Sequence, residues 1–337
     1  VYKPANLHMM QEDFMNDSIL IRKNALRAVW RKRETSLALI LVIMCVALSF
    51  ATTSFFTSDN LFNILKQTTL VCIIAIGQTF VIISGGIDLS VGQSMTLGSL
   101  ILAYSLKAGI PLAISILLGI LASMLVGACN GLLITKLRLP AFIITLGMTN
   151  IVKGAILVMS EGNIVLLDDP VIAAIGRDSL GPVPWMVIIL AVLAVICIFV
   201  LTKTAFGNHV KSVGGNEMAA RLSGISVDKT RMLVYTIAGL LCGIAAIIVT
   251  GRLNGGNPNA AGTYDMDSIA AVIVGGTALN GGSGSIFGTI LGALIMILIR
   301  NGLVLLRVNI YWQTVAIGVV IIAVCAIDAF SNARKQK

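Results

Sequence analysis

The chain has 337 residues and a formal charge of +9; 57% of its residues are hydrophobic, only 12% are charged, and the mean hydropathy is +0.96. Soluble domains carry about 25% charged residues, so a water-soluble fold is excluded. A nucleic-acid binder is excluded as well, because its basic residues would share one solvated face, and here they are dispersed between apolar runs.

In chain order, residues 1–35 mix charged and apolar residues and are expected on the inner face, uncleaved. They read either as an interfacial amphipathic helix or as a disordered tail. Apolar segments near the ~20 residues of a spanning helix follow at 36–56, 68–84, 90–106, 110–129, 141–160, 184–202, 232–250, 266–280, 284–306 and 311–330. These predict an all-α, polytopic membrane protein of about ten transmembrane helices in a domain spanning 36–330, with a short tail at 331–337. Glycines and polar residues interrupt the third, eighth and ninth segments. The six cysteines (Cys45, Cys72, Cys129, Cys197, Cys242 and Cys325) all fall in apolar segments without a CxxC pair, which reads as buried small hydrophobes.

Basic residues in short loops mark the cytoplasmic side. With the N-terminus inside and ten crossings, Lys3, Arg22, Lys23, Arg27, Arg31, Lys32, Arg33, Lys136, Arg138, Lys203, Lys211, Arg221, Lys229, Arg231, Arg334, Lys335 and Lys337 all lie inside, while Glu161, Asp168, Asp169 and Asp178 lie outside. Both termini are therefore expected in the cytoplasm.

Shifting the sequence by 170 brings Ser84-Gly85-Gly86 onto Asn254-Gly255-Gly256, and by 171 brings NGLLITKLRLPAFIITLG (130–147) onto NGLVLLRVNIYWQTVAIG (301–318). Spans 2–5 then repeat as spans 7–10 in inverted orientation, a plan common among transporters. Chance matching among 33 glycines is the competing explanation. Broken helices are expected near 84–90 and 275–284. Backbone left unpaired in lipid is intolerable, so such breaks face protein or a watery cavity. Asp88 in the first break is costly in lipid. It reads foremost as an N-cap-like acceptor for a helix starting near Ser90, with substrate contact and proton relay as alternatives. Asp265 and Asp267 read as first-turn acids favoured by the helix dipole.

The loop 203–231 is basic and carries a short helical patch, EMAARLS, that Asn216 caps and Gly224 ends. Glu217 suits its first turn, and the small Ala219 and Ala220 invite close approach by another protein. An isolated helix this short is marginal in water, so it either docks on a partner or is a solvated linker. His209 reads as a solvated loop residue.

EMAARLSG resembles the E-A-A-x-x-x-G loop of ABC importer permeases, with Glu217, Ala219, Ala220 and Gly224 matching and Met218 inserted. SGGIDLSVG, GNHVKSVGGNEMAARLSGI and IAAVIVGGTALNGGSGSIFGTILGALI, in that order, resemble the ribose-type monosaccharide permeases of the branched-chain amino acid/ribose permease superfamily, over roughly 40–330. The resemblance implies a bacterial inner-membrane subunit that pairs with a copy of itself or a close relative. It further implies cytoplasmic ABC ATPase subunits and a periplasmic or lipid-anchored sugar-binding protein. Gly214, Gly215, Asn216, Glu217, Ala219, Ala220 and Gly224 would form the coupling segment received by the ATPase. The chain has no GxxxxGK[ST] motif, so ATP and magnesium are expected on the partner ATPase and no cofactor on this chain. No HExxH, GxSxG or metal-ligand pattern occurs either, and no catalytic role is expected.

A sugar is neutral and rich in hydroxyls. Polar candidates along its route are Gln78, Thr79, Ser84, Gly85, Gly86, Asp88, Ser90, Gln93, Thr145, Asn150, Asn254, Asn257 and Asn280. Helix–helix hydrogen bonding explains the same residues equally well. A self-sufficient secondary transporter driven by an ion gradient is the alternative function. It fits the repeat and leaves the 203–231 loop unexplained.

Overall fold

The computed structural model describes residues 33–335; the expectations for 1–32 and for the last two residues lie outside it. The helices are α1 (Arg33–Ala51), α2 (Ser58–Ile83), α3 (Val91–Lys107), α4 (Leu112–Leu137), α5 (Ala141–Ser160), α6 (Pro170–Arg177), α7 (Trp185–Lys203), α8 (Ala205–Gly215), α9 (Glu217–Leu222), α10 (Val227–Leu253), α11 (Tyr264–Val274), α12 (Ile286–Leu305) and α13 (Ile310–Lys335). Seven of them are long and apolar enough to cross a membrane. Three spans start from proline: Pro111, Pro140 and Pro184 stand immediately before α4, α5 and α7. There a missing N–H is harmless, and the restriction proline puts on its neighbours sets the chain direction.

The expected eighth span, 266–280, is corrected by the structure. Its helix, α11, has 11 residues and stops at Val274. At ~1.5 Å per residue it covers about half of a ~30 Å hydrocarbon core. The glycines beyond it prevent continuation: Gly276, Gly281 and Gly282 all take positive φ. Ten crossings of similar length therefore become long helices interleaved with short ones.

The helices α2 and α10 form the buried centre. Their packing is exchanged between the halves: α10 lies against α3 and α4, and α2 against α11 and α12. Glycines allow the contact of α10 with α4. A Cβ on Gly131 would stand 2.8 Å from the Met232 Cα, and one on Gly243 would stand 2.7 Å from the Ile120 Cα.

Buried hydroxyl pairs join the two halves. Thr79 on α2 shares a 2.7 Å hydroxyl contact with Thr289 on α12, while Thr250 on α10 shares one of 2.8 Å with Ser99 on α3. Ser90 and Thr263 each stand immediately before the short second helix of their half.

Two ends of the bundle are distinguishable. Near the start of α2, Lys66 Nζ donates to the Arg177 carbonyl at the end of α6 (3.3 Å). At its other end, the Ile83 carbonyl meets the segment after α11. Composition did not announce the small structures at the α6 end. The strand β1 (Val165–Leu166) pairs antiparallel with β4 (Gly255–Gly256), and β2 (Ser179–Leu180) with β3 (Val183–Pro184). The β1–β4 pair fastens the connection after α5 to the break after α10.

Candidate functional site

The first break begins where α2 closes on itself. Ser84, Gly85 and Gly86 donate their N–H groups to the carbonyls of Phe80, Ile82 and Val81, and Gly85 takes φ +84°, the left-handed stop that favours glycine. Asp88, buried at 2% exposure, accepts at one oxygen from the Ser90 N–H (2.8 Å) and from the Ser90 hydroxyl (2.7 Å). Asn130 on α4 donates to the same hydroxyl (2.8 Å). Gln78 on α2 donates to the Asp88 carbonyl (3.2 Å), and Thr145 on α5 to the Ile87 carbonyl (3.2 Å). The break is thus laced to three helices by groups that would otherwise be unsatisfied. Ser90 takes the cap position, and Asp88 braces it from two residues before.

The second half has a counterpart. Asp267, near the start of α11, pairs with Arg300 of α12 (3.0 Å) and accepts from the Thr263 hydroxyl (2.8 Å). The group lines a cavity of about 220 Å³ together with Gln67, Arg252 and Tyr264. Sequence reasoning took Asp267 as a dipole-favoured acid and missed its partner. The available signal was a lone arginine inside the apolar run 284–306, which demands a partner or water.

The 203–231 segment holds two helices rather than one patch. Gly207, Gly214 and Gly215 lie within α8, which Thr204 caps through the Gly207 N–H (3.2 Å). Asn216 accepts from the Ala219 N–H (2.9 Å), so a single residue separates α8 from α9. Gly224, at φ +80°, ends the second helix. Glu217 binds Arg221 (3.0 Å) and Arg231 (2.7 Å), and Arg221 also binds Asp228 (2.9 Å). Burial opposes the charge on Glu217, but hydrogen bonds from Arg221 and Arg231 and their positive fields outweigh it. Its carboxyl is held below the ordinary glutamate value. Between this network and the end of α4 lies a cavity of about 470 Å³, lined by Thr135, Arg138, Glu217, Arg221, Asp228 and Arg231 among others.

One expectation is reversed here. Ala220 is not offered to a partner: it is buried with Val213 and Val227. The side chains that α9 presents outward are Met218 and Leu222, 67% and 82% exposed, with Ala219 beside them.

The route candidates do not form one channel within the chain. Gln78, Asp88, Ser90 and Thr145 are joined in the first break, and Ser84 closes α2. Gln93 is half-buried on α3. Asn254 is the left-handed cap of α10, and Asn257 accepts from the Asn259 N–H (2.9 Å). Asn280 is exposed in the connection after α11. Asn150 stands apart on an outward face of α5, donating to the Leu146 carbonyl of its own helix (3.1 Å), with exposed Lys153 and with Gly147 and Gly154, beside which a Cβ would meet open space.

Broken helices tied by polar side chains inside an apolar bundle, with an outward-facing elbow at one end, define a polytopic membrane protein. The family model for the branched-chain amino acid transport system / permease component matches residues 60–325, and the chain belongs to this family. Similar curated proteins include the ribose import permease protein RbsC of Haemophilus influenzae, 36% identical over 88% of this chain and 93% of that protein. The RbsC of Bacillus subtilis is 39% identical over 87% and 92%, and the xylose transport system permease protein XylH of Haemophilus influenzae is 33% identical over 89% and 96%. No solved structure matches the chain.

Proposed function

We propose that this chain is the membrane subunit of an ATP-binding-cassette importer for a monosaccharide, ribose or a related sugar. Relatives named for ribose import and xylose transport, each similar over nearly the whole chain, support the substrate class. The observation that carries the reading is the elbow of α8 and α9: a capped helix with two exposed apolar side chains, held by ion pairs to the start of a central helix. A transporter driven by an ion gradient leaves such a structure unexplained.

In this reading α9 faces the cytoplasm of a bacterial inner membrane, with both termini on that side. An ATPase subunit receives Met218 and Leu222 and holds the ATP and magnesium. A sugar-binding protein delivers solute to the opposite face. The outward face of α5 meets a second permease subunit, a copy of this chain, because Asn150 and Lys153 are ill suited to lipid and the adjacent glycines permit close approach. Solute passes between the two copies by alternating access.

Reconstitution into vesicles tests the reading. Sugar uptake is expected only with the ATPase, the binding protein and ATP present. Uptake by this chain alone under an ion gradient would overturn it.

A further inference from the structure

Gly214, one residue from the end of α8, touches two other segments through bare backbone. A Cβ added there would collide with the Ile83 carbonyl oxygen and stand 2.7 Å from the Gly282 nitrogen. The Gly282 N–H itself donates to the Ile83 carbonyl (2.8 Å), satisfying an acceptor that the end of α2 leaves open. A Cβ on Gly281 would stand 2.8 Å from the Gly214 carbonyl oxygen and 3.1 Å from the Gly85 Cα. One on Gly282 would stand 2.8 Å from the Gly215 Cα. Three segments therefore meet without side chains between them: the end of α2 at the first break, the end of α8, and the connection from α11 to α12.

We propose that this glycine junction is the joint of the transport cycle, with Gly214, Gly281 and Gly282 as positioning residues. Through it a displacement of α9 reaches the first break and the 275–285 connection together. Side chains absorb small movements by changing rotamer, but close-packed backbone has no such slack. A shift of α8 by about 1–2 Å, the scale of helix shifts in switching proteins, must then carry both partners or separate them. The connection is direct, because only Asn216 stands between Gly215 and α9. The proposal rests on the reading of α9 as the ATPase contact.

A glycine outside the junction supplies the control: a Cβ on Gly318 of α13 would meet open space. In the reconstituted assembly, Gly214→Ala is expected to keep the ATPase bound while sugar moved per ATP falls at least tenfold, and Gly318→Ala to stay within twofold of wild type. Wild-type transport per ATP in Gly214→Ala, or equal loss in both variants, would overturn the proposal.

Hydrogen exchange on the wild-type assembly tests it without a variant. Trapping the ATPase with a non-hydrolysable nucleotide should change exchange at 212–217 and at 281–284 together. A change confined to 212–217 would overturn the joint. Leu222→Asp tests the underlying reading separately: if the ATPase remains bound to that variant, the contact assigned to α9 fails, whatever the glycine variants show.

Discussion

At the residue scale, the buried carboxylate of Asp88 is an acceptor first. Its bonds to the Ser90 N–H and hydroxyl need an oxygen rather than a charge. Asp88→Asn keeps such an oxygen and is expected to retain most stability and transport. Asp88→Ala strands the Ser90 donors and is expected to destabilise by about 1–3 kcal/mol, read as a lower midpoint of thermal unfolding in detergent. Abolished transport in a stable Asp88→Asn protein would instead mark the charge as part of a proton route.

Glu217 behaves differently, since its charge matters. Its carboxyl is held below the ordinary value of 4.5 by its arginines. The stabilisation is therefore complete above that value and disappears as pH falls through the lower, folded-state value. Elbow protection, followed by hydrogen exchange, should be flat from neutral pH to about 5 and decline only in stronger acid. The effect should be small and sensitive to salt, because the Arg221 pair is exposed and the Arg231 pair partly so.

At the element scale, the elbow separates two roles that the EMAARLS sequence merges. Ala220 packs inward, so Ala220→Leu should overfill the contact with Val213 and Val227 and destabilise by about 1–3 kcal/mol. Leu222 points outward, so Leu222→Asp should leave the midpoint of thermal unfolding of the isolated subunit unchanged while co-purification of the ATPase falls. A partner sitting over Ala220 would produce the opposite pattern.

The short helix α11 follows the same logic of satisfied groups. Arg300→Ala leaves Asp267, only 5% exposed, without its cation. The expected loss stays below the ~3–5 kcal/mol of a fully buried pair, because the guanidinium is itself partly exposed. Removing both charges with Asp267→Asn and Arg300→Gln should recover part of the midpoint. The helix N-caps were legible in sequence: Asn216 caps as its residue type predicts. The extent of α8 was not, because its glycines are tolerated by packing that no local pattern reveals.

At the scale of the whole molecule, the two halves are exchanged, each central helix lying on the short and long helices of the other half. A face of α5 is left bearing Asn150 and Lys153, and the proposed second copy covers it. Gly154→Cys, at a site with free space for a side chain, is expected to form a disulfide between copies in oxidised membranes. Persistent monomer on non-reducing gels would place the contact elsewhere.

Sequence by itself determined the membrane class, the helical content, both breaks and the capped helix at Glu217. Hydropathy, glycine at left-handed turns and a capping side chain all act within a few residues. Only the tertiary structure decided that the eighth span is a half-length helix, that Arg300 answers Asp267, and that Ala220 turns inward. It alone also brought Gly85, Gly214 and Gly282 together. These outcomes depend on contacts between segments far apart in the chain, where geometry rather than local preference selects which groups meet.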